Sequence, residues 1–294
     1  MKKWAFQDGD AASSASKRAR FKVDAELATS ARRTSSSKCE KIPEDGEDCE
    51  DARAASNLRI LCYSSPKMVH DTLSSLSPDV VEVIKELGME GMMKVPRILL
   101  MDRQFSFWLL NRVNPEFLSL QLGNGTSISI DEKSVELVLG VCRNGAEIPR
   151  EPKKWNSYVV PAVAKVLRLP EGTRHIIAGD LSDVIERGLP ENPTEEDKDM
   201  IRAAVVLFGC THLLAPRERA SVIPKDALVC AMHPRTLKDY NWAKYIIEII
   251  RDSAEKLHED VASERKTFLL GGCLLYLQVS TFLILFQSQS PMLV

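Results

Sequence analysis

The strongest constraint on this chain is a change of polymer near residue 57. Residues 1–57 are rich in Ala, Ser, Lys, Arg, Glu and Asp and hold almost no large apolar side chain after Phe21. A segment of that kind cannot bury enough surface to offset the entropy of ordering it, so a disordered tail is expected there. The core must therefore be built from residue 58 onward. The organisation expected is a tail over 1–57, a helical region over 58–287 and a short end piece over 288–294. With 44% hydrophobic residues overall, the middle region can bury one good core.

Charge is sorted along the tail. Basic residues come first (Lys17, Arg18, Arg20 and Lys22, then Arg32 and Arg33), and acidic ones come after them (Glu44, Asp45, Glu47, Asp48, Glu50 and Asp51). The Lys17–Lys22 cluster has the composition read by a nuclear import receptor, which makes the nucleus the expected location. Over the whole chain, 39 Lys and Arg face 41 Asp and Glu, a net charge of -2. No global field therefore draws the protein to nucleic acid or to an anionic membrane, and any such attraction must be local. Seven cysteines are scattered singly, and residues 1–25 hold no apolar leader. That pattern is expected of reduced thiols in an intracellular protein.

Beyond the tail, Leu58, Ile60, Leu61 and Cys62 form a short apolar run where order should begin. Ser77-Pro78-Asp79 opens a helix with a cap, a first-turn proline and an acid at the positive end. Val80, Val81, Ile84 and Leu87 keep helical spacing up to Gly88. A second apolar run covers Ile98 to Leu110. Leu118, Leu120, Leu122, Ile128 and Ile130 then alternate with polar residues around Gly123-Asn124-Gly125, which predicts a β-hairpin. Asp131 caps a helix whose apolar face is Val135, Val138 and Leu139, closed by Gly140.

Residues 143–157 read as a polar loop containing Trp155. Helical spacing returns over Val159–Leu169 and Asp180–Arg187. It returns again from Thr194 to Leu214, ending at Ala215-Pro216, then over Asp226–Met232 and Asn241–Leu257. The fold class expected is mainly α: a helical domain with one small β-hairpin behind the tail.

Several short motifs succeed one another in a definite order: Phe105-Ser-Phe-Trp-Leu-Leu-Asn-Arg-Val-Asn-Pro115, the hairpin Leu118–Ile130 and Asp131–Val141. Leu213-Leu-Ala-Pro216, Tyr240-Asn-Trp-Ala243 and Leu270-Gly-Gly-Cys-Leu-Leu-Tyr-Leu-Gln278 come later. Over roughly residues 75–278 the chain resembles plant mobile-domain proteins, also labelled aminotransferase-like. More closely, it resembles the N-terminal region of transposon-encoded plant proteins that end in a ubiquitin-like-protein-specific cysteine protease. The resemblance implies a helical, transposon-derived module, with Leu270–Gln278 packing as a core helix. It supplies no cofactor, since the chain shows neither a pyridoxal phosphate lysine setting nor a Gly-rich phosphate cradle. The residues of that protease lie beyond the matching region. After Gln278 the sequence leaves the pattern and reads as an unrelated extension.

No complete catalytic set is recognised, and Asp180, Glu186 and Glu248 read as solvated surface. Cys210, His212, Cys230 and His233 offer zinc-type ligands, but at a spacing that matches no common finger. Phe268 to Phe286 carries no charge and is long enough to cross a bilayer, so a C-terminal membrane anchor stands beside a core helix as a reading. The expected function is a non-catalytic interaction module with a protein or nucleic-acid partner. The alternatives are the truncated N-terminal part of a transposon-encoded cysteine protease and a protein anchored through 268–286. Arg97, Arg103, Lys153 and Lys154 with Trp155 are the expected partner surface.

Overall fold

The computed structural model describes residues 58–123, 125–149, 156–217 and 222–289. The basic cluster Lys17–Lys22 and the acidic block lie outside the described residues, as do Lys153, Lys154 and Trp155. The fold is mainly α, with two small sheets.

The described chain opens with β1 (Arg59–Cys62) and then α1 (Pro66–Leu73), whose buried side chains include Val69 and Leu73. α2 (Pro78–Glu86) starts after Ser77 as its proline and acid predict, but Val83 rather than Val81 faces the core. A 3-10 turn over Glu90–Lys94 comes next. Only the second half of the apolar run Ile98–Leu110 is helical. α3 (Arg103–Asn111) begins where Asp102 accepts the Phe105 amide at 2.9 Å, and it buries Phe107, Leu109 and Leu110.

The hairpin forms from β3 (Ser119–Gly123) and β4 (Thr126–Ser129), and β2 (Val113–Asn114) adds a third antiparallel strand in the order β2-β3-β4. α4 (Glu132–Leu139) carries a capping box between Asp131 and Ser134 and stops at Gly140, whose φ is 58°. Gly140 is held there by a crossing backbone. A Cβ on Gly91 would lie 1.9 Å from the Leu139 carbonyl oxygen, so only two glycines allow the 3-10 turn and the end of α4 to touch.

α5 (Asn156–Val166), α6 (Ala178–Arg187) and α7 (Glu195–Gly209) come after the hairpin and its helix. α7 is buried on every side from Ala203 to Gly209 and packs against α2, α5 and α6, which makes it the central element of the core. It widens into a π-turn over Cys210–Leu214 and ends at Ala215, as the sequence predicts. α8 (Lys225–Ala231) and a 3-10 turn over Pro234–Asp239 lead to α9 (Trp242–Ala262). Asn241 caps α9 by accepting the Lys244 amide at 2.8 Å, and Trp242, Ile246 and Ile250 are fully buried. β5 (Thr267–Leu270) then pairs in parallel with β1, from Arg59 opposite Thr267 to Cys62 opposite Leu270, and α10 (Leu274–Gln289) completes the order.

The uncharged stretch 268–286 is thus two elements, not one helix. Its first residues are a strand, the chain turns at Gly271-Gly272, and α10 has 16 residues, about 24 Å at 1.5 Å each. Among the described residues no helix is long and apolar enough to cross a membrane. The reading of this stretch as a spanning helix is therefore corrected. Cys273, Leu274, Tyr276 and Leu277 are buried in the core instead, and the Tyr276 hydroxyl lies 2.6 Å from Ser134 Oγ of α4.

Candidate functional site

Three of the thiols are poorly placed to react. Cys210, Cys230 and Cys273 are buried, and burial pushes Cys230 and Cys273 up to about 12 and Cys210 higher still. A nucleophile needs the opposite shift. His212 is buried in the π-turn, packed edge-on to Phe208 at 4.7 Å, whereas His233 is exposed. Cys210, His212, Cys230 and His233 do not converge. Among the described residues, no group of three or more His, Cys, Asp or Glu side chains could hold a metal ion. Asp180 serves as a helix cap, accepting the Ile177 amide at 2.9 Å, and Glu186 is exposed.

Of the expected basic surface, Arg97 and Arg103 fall among the described residues. Arg97 is tied to Asp71 at 2.8 Å, and that contact, with Lys67 beside it, holds the Asp71 carboxyl down to about 2. Arg103 lines a notch of about 210 Å³ next to Cys62 and Met101. Leu99 and Leu100, which line the same notch, are 62% and 82% exposed. A second opening, of about 290 Å³ and bordered by Glu86 and Lys238, is closed by internal ion pairs. Arg202 reaches Asp199 at 2.7 Å and Glu86 at 3.0 Å, and Arg235 reaches Asp199 at 2.9 Å.

The third opening is different. It is a cleft of about 900 Å³ along the outer face of α5 and the loop behind it, within the range of small-ligand and peptide sites. Val160, Pro161, Ala164 and Leu169 give it an apolar floor. Lys165, Arg168 and Arg174 rim it, with Glu171 as the one carboxylate among its described residues. Its shape comes from how α5 ends. The Arg168 amide donates to the Lys165 carbonyl at 3.1 Å and the Leu169 amide to the Ala164 carbonyl at 2.9 Å, the double closure of a Schellman motif.

The left-handed position in that motif usually belongs to glycine, yet here Arg168 holds it at φ 54°. A non-glycine residue there costs roughly 1 kcal/mol. Opposing that cost, Arg168 Nη1 donates to Asp197 Oδ1 at 2.6 Å. Asp197 also accepts from the Thr194 hydroxyl at 2.6 Å and the Thr194 amide at 2.7 Å, contacts that lower its pKa, the hydroxyl foremost. The cap of α7 thus fixes the guanidinium of a residue that lines the cleft. Pro170–Thr173 then forms a turn, with the Thr173 hydroxyl donating to the Pro170 carbonyl at 2.7 Å, and this turn presents Arg174.

Sequence reasoning missed this site because nothing marks it as a motif. The usable signal was the spacing Lys165, Arg168, Arg174 beyond an apolar helix face, with no glycine where the helix ends.

Fold and cleft together define a helical domain with an open, cation-rimmed groove on its outer surface. Residues 62–278 match a domain family of unknown function (DUF8566), and the chain belongs to that family. No curated protein matches the chain, and no solved structure does.

Proposed function

We propose that this protein is a non-catalytic interaction module, transposon-derived as the mobile-domain resemblance implies, that holds an extended acidic peptide in the α5 cleft. The observation that carries this reading is the strained Arg168, fixed by Asp197 between Lys165 and Arg174 over an apolar floor. Backbone strain kept at a surface opening is a mark of a working site. A peptide fits better than nucleic acid for two reasons. Phosphate binding draws its strength from many neutralised charges, whereas the described residues lining the cleft offer three cations, one of them already paired. Single strands need aromatic platforms, and no aromatic side chain is among the described residues lining the cleft. The Lys17–Lys22 cluster would deliver the module to the nucleus through an import receptor.

The test is fluorescence anisotropy of a labelled peptide of alternating Glu and Leu, titrated against the full chain up to millimolar protein. Binding should weaken as salt is raised and should disappear in Lys165→Glu/Arg174→Glu. Arg168→Gly should lose several-fold in affinity while its denaturation midpoint stays near the parent's, because relief of strain offsets the lost ion pair. A single-stranded oligonucleotide that binds tighter than the peptide and is equally sensitive to Lys165→Glu would replace this reading with a nucleic-acid one. Indifference of the peptide to both charge reversals would remove the cleft from consideration.

A further inference from the structure

Apart from the α5 cleft, the molecule has the notch of about 210 Å³ walled by residues 62–66, 98–101 and 103. Arg103 is the one charged side chain among the described residues that line it. The guanidinium is exposed and joins no ion pair among the described residues. Lys67 and Arg97, by contrast, both hold Asp71. Asp102, next to Arg103 in sequence, accepts the Phe105 amide at 2.9 Å as the cap of α3. Burial raises the Cys62 thiol in the notch wall, so it stays neutral and offers the guanidinium no counter-charge.

The notch also meets the start of α1, since Ser65 at its cap and Pro66 at its first position line it. Ser65 places no side-chain oxygen on the first-turn amides, and that turn contains no acid. The Lys67 and Met68 amides come too early in the helix to reach a helical carbonyl, so the positive end of α1 stands without an anion. Ser64 is a second, separate sign. It lines the notch and is 8% exposed, yet its hydroxyl has no hydrogen-bond partner among the described residues. Buried hydroxyls are nearly always paired, so one left open in the wall of a pocket marks a place for an acceptor.

We infer that this notch captures the carboxyl terminus of a partner chain whose last residue has an apolar side chain. The carboxylate meets Arg103, the open end of α1 and the Ser64 hydroxyl, and the last side chain lies against Ile98, Leu99 and Leu100. Charge selects a carboxylate over a phosphoryl group. The described wall holds a single cation, which balances one negative charge, whereas a phosphoryl group carries close to two. The guanidinium fork also matches the two oxygens of a carboxylate. Size selects a chain end over a passing strand, because the notch is smaller than most small-ligand pockets. A terminal residue carries its carboxylate and its side chain on one Cα, which suits a cation set beside an apolar wall. Capture of chain ends by open backbone amides is a recurring mode of peptide recognition.

The experiment is fluorescence anisotropy of the full chain with peptides that carry fluorescein at the amino end. The first is Gly-Ser-Gly-Ser-Gly-Leu with a free carboxyl terminus, the second is the same peptide amidated, and the third is amidated with phosphoserine in the last place. Amidation is expected to weaken binding about tenfold or more, since a charge-assisted contact is lost. Arg103→Gln should do the same to the free-acid peptide, and Leu99→Ser/Leu100→Ser should weaken it several-fold. Those three side chains are exposed, so folding is not at stake. Ser64→Ala should also weaken the free-acid peptide, while its urea midpoint stays at or above the parent's because the hydroxyl removed had no partner. Lys165→Glu/Arg174→Glu should leave this binding unchanged, which separates the notch from the α5 cleft.

Equal binding of the free and amidated peptides, or indifference to Arg103→Gln, would overturn the capture of a chain end. Tighter, Arg103-dependent binding of the phosphoserine peptide would overturn it in favour of a phosphorylated partner. Loss of the free-acid peptide in Lys165→Glu/Arg174→Glu would move that peptide to the α5 cleft and leave the notch without a ligand. No binding of any of the three at millimolar protein would overturn it outright.

Discussion

At the scale of single residues, His212 is the clearest stored cost. Both imidazole nitrogens are buried without a hydrogen-bond partner, and burial lowers the ring from an ordinary 6.5 to about 4. The sign comes from linkage. Between about pH 6.5 and 4 the unfolded chain takes up a proton at this ring that the folded chain refuses, so the contribution is complete above 6.5 and is lost as pH falls toward 4. The difference corresponds to as much as about 3 kcal/mol. His212→Phe keeps an aromatic ring against Phe208 and removes the titration. Urea denaturation of both proteins at stepped pH should show the parent falling behind the variant across that window. Parallel curves would mean the ring finds solvent or a partner.

Residue-level chemistry also sets what the sequence could disclose. Asp131, Thr194 and Asn241 each precede an apolar periodic run, and each accepts a helical amide as its type predicts. Arg168 breaks the rule that a helix closes on glycine, and so the end of α5 and the cleft behind it left no legible mark. Lys153, Lys154 and Trp155 lie outside the described residues, and Arg97 is paired with Asp71. Arg103 lines an opening, and a different one from the cleft.

At the scale of elements, period was the reliable guide and length the unreliable one. α2, α4, α7 and α9 and the β3–β4 hairpin are long or patterned enough to be read directly. α1 has too few apolar positions to show a period, and β2 is two residues long. The uncharged run 268–286 misled because hydropathy records no break at Gly271-Gly272. The break is steric. Gly272 sits at φ 78° and donates its amide to the Pro216 carbonyl at 2.8 Å, and a Cβ on it would lie 3.2 Å from Ile250 Cα. Gly272→Ala is therefore expected to cost about 1–3 kcal/mol, from a left-handed backbone and crowding against α9 together. A denaturation midpoint unchanged by this substitution would show that β5 and α10 can be joined some other way.

At the scale of the whole molecule, the mainly helical class was legible and the closure of the chain was not. An apolar run at 58–62 announces a strand or a helix equally well, and a parallel partner some two hundred residues away has no local signature. Yet that pairing brings the first and last described parts of the domain together. Phe268 of β5 is 1% exposed and meets Phe107 of α3 edge-on at 5.0 Å. Phe268→Ala should cost about 3–5 kcal/mol, a large part of the stability of a single domain. Because both ends share one core, tryptophan fluorescence and far-ultraviolet circular dichroism should shift together in one transition. Two separate transitions would show that the ends unfold independently.

The β1–β5 pairing also bears on synthesis. Arg59 and its partner Thr267 are 208 residues apart, and ribosomes add roughly 5–20 residues each second. β1 therefore leaves the ribosome some 10–40 s before β5 exists, a delay far longer than the microseconds in which a hairpin or helix forms. During that interval its half-buried Ile60, Leu61 and Cys62 have no strand to pair with. The helices between can condense meanwhile around α7, but the domain closes only when translation has passed Leu270. A nascent chain stalled before that point presents an open strand edge to whatever chaperone or neighbour meets it first.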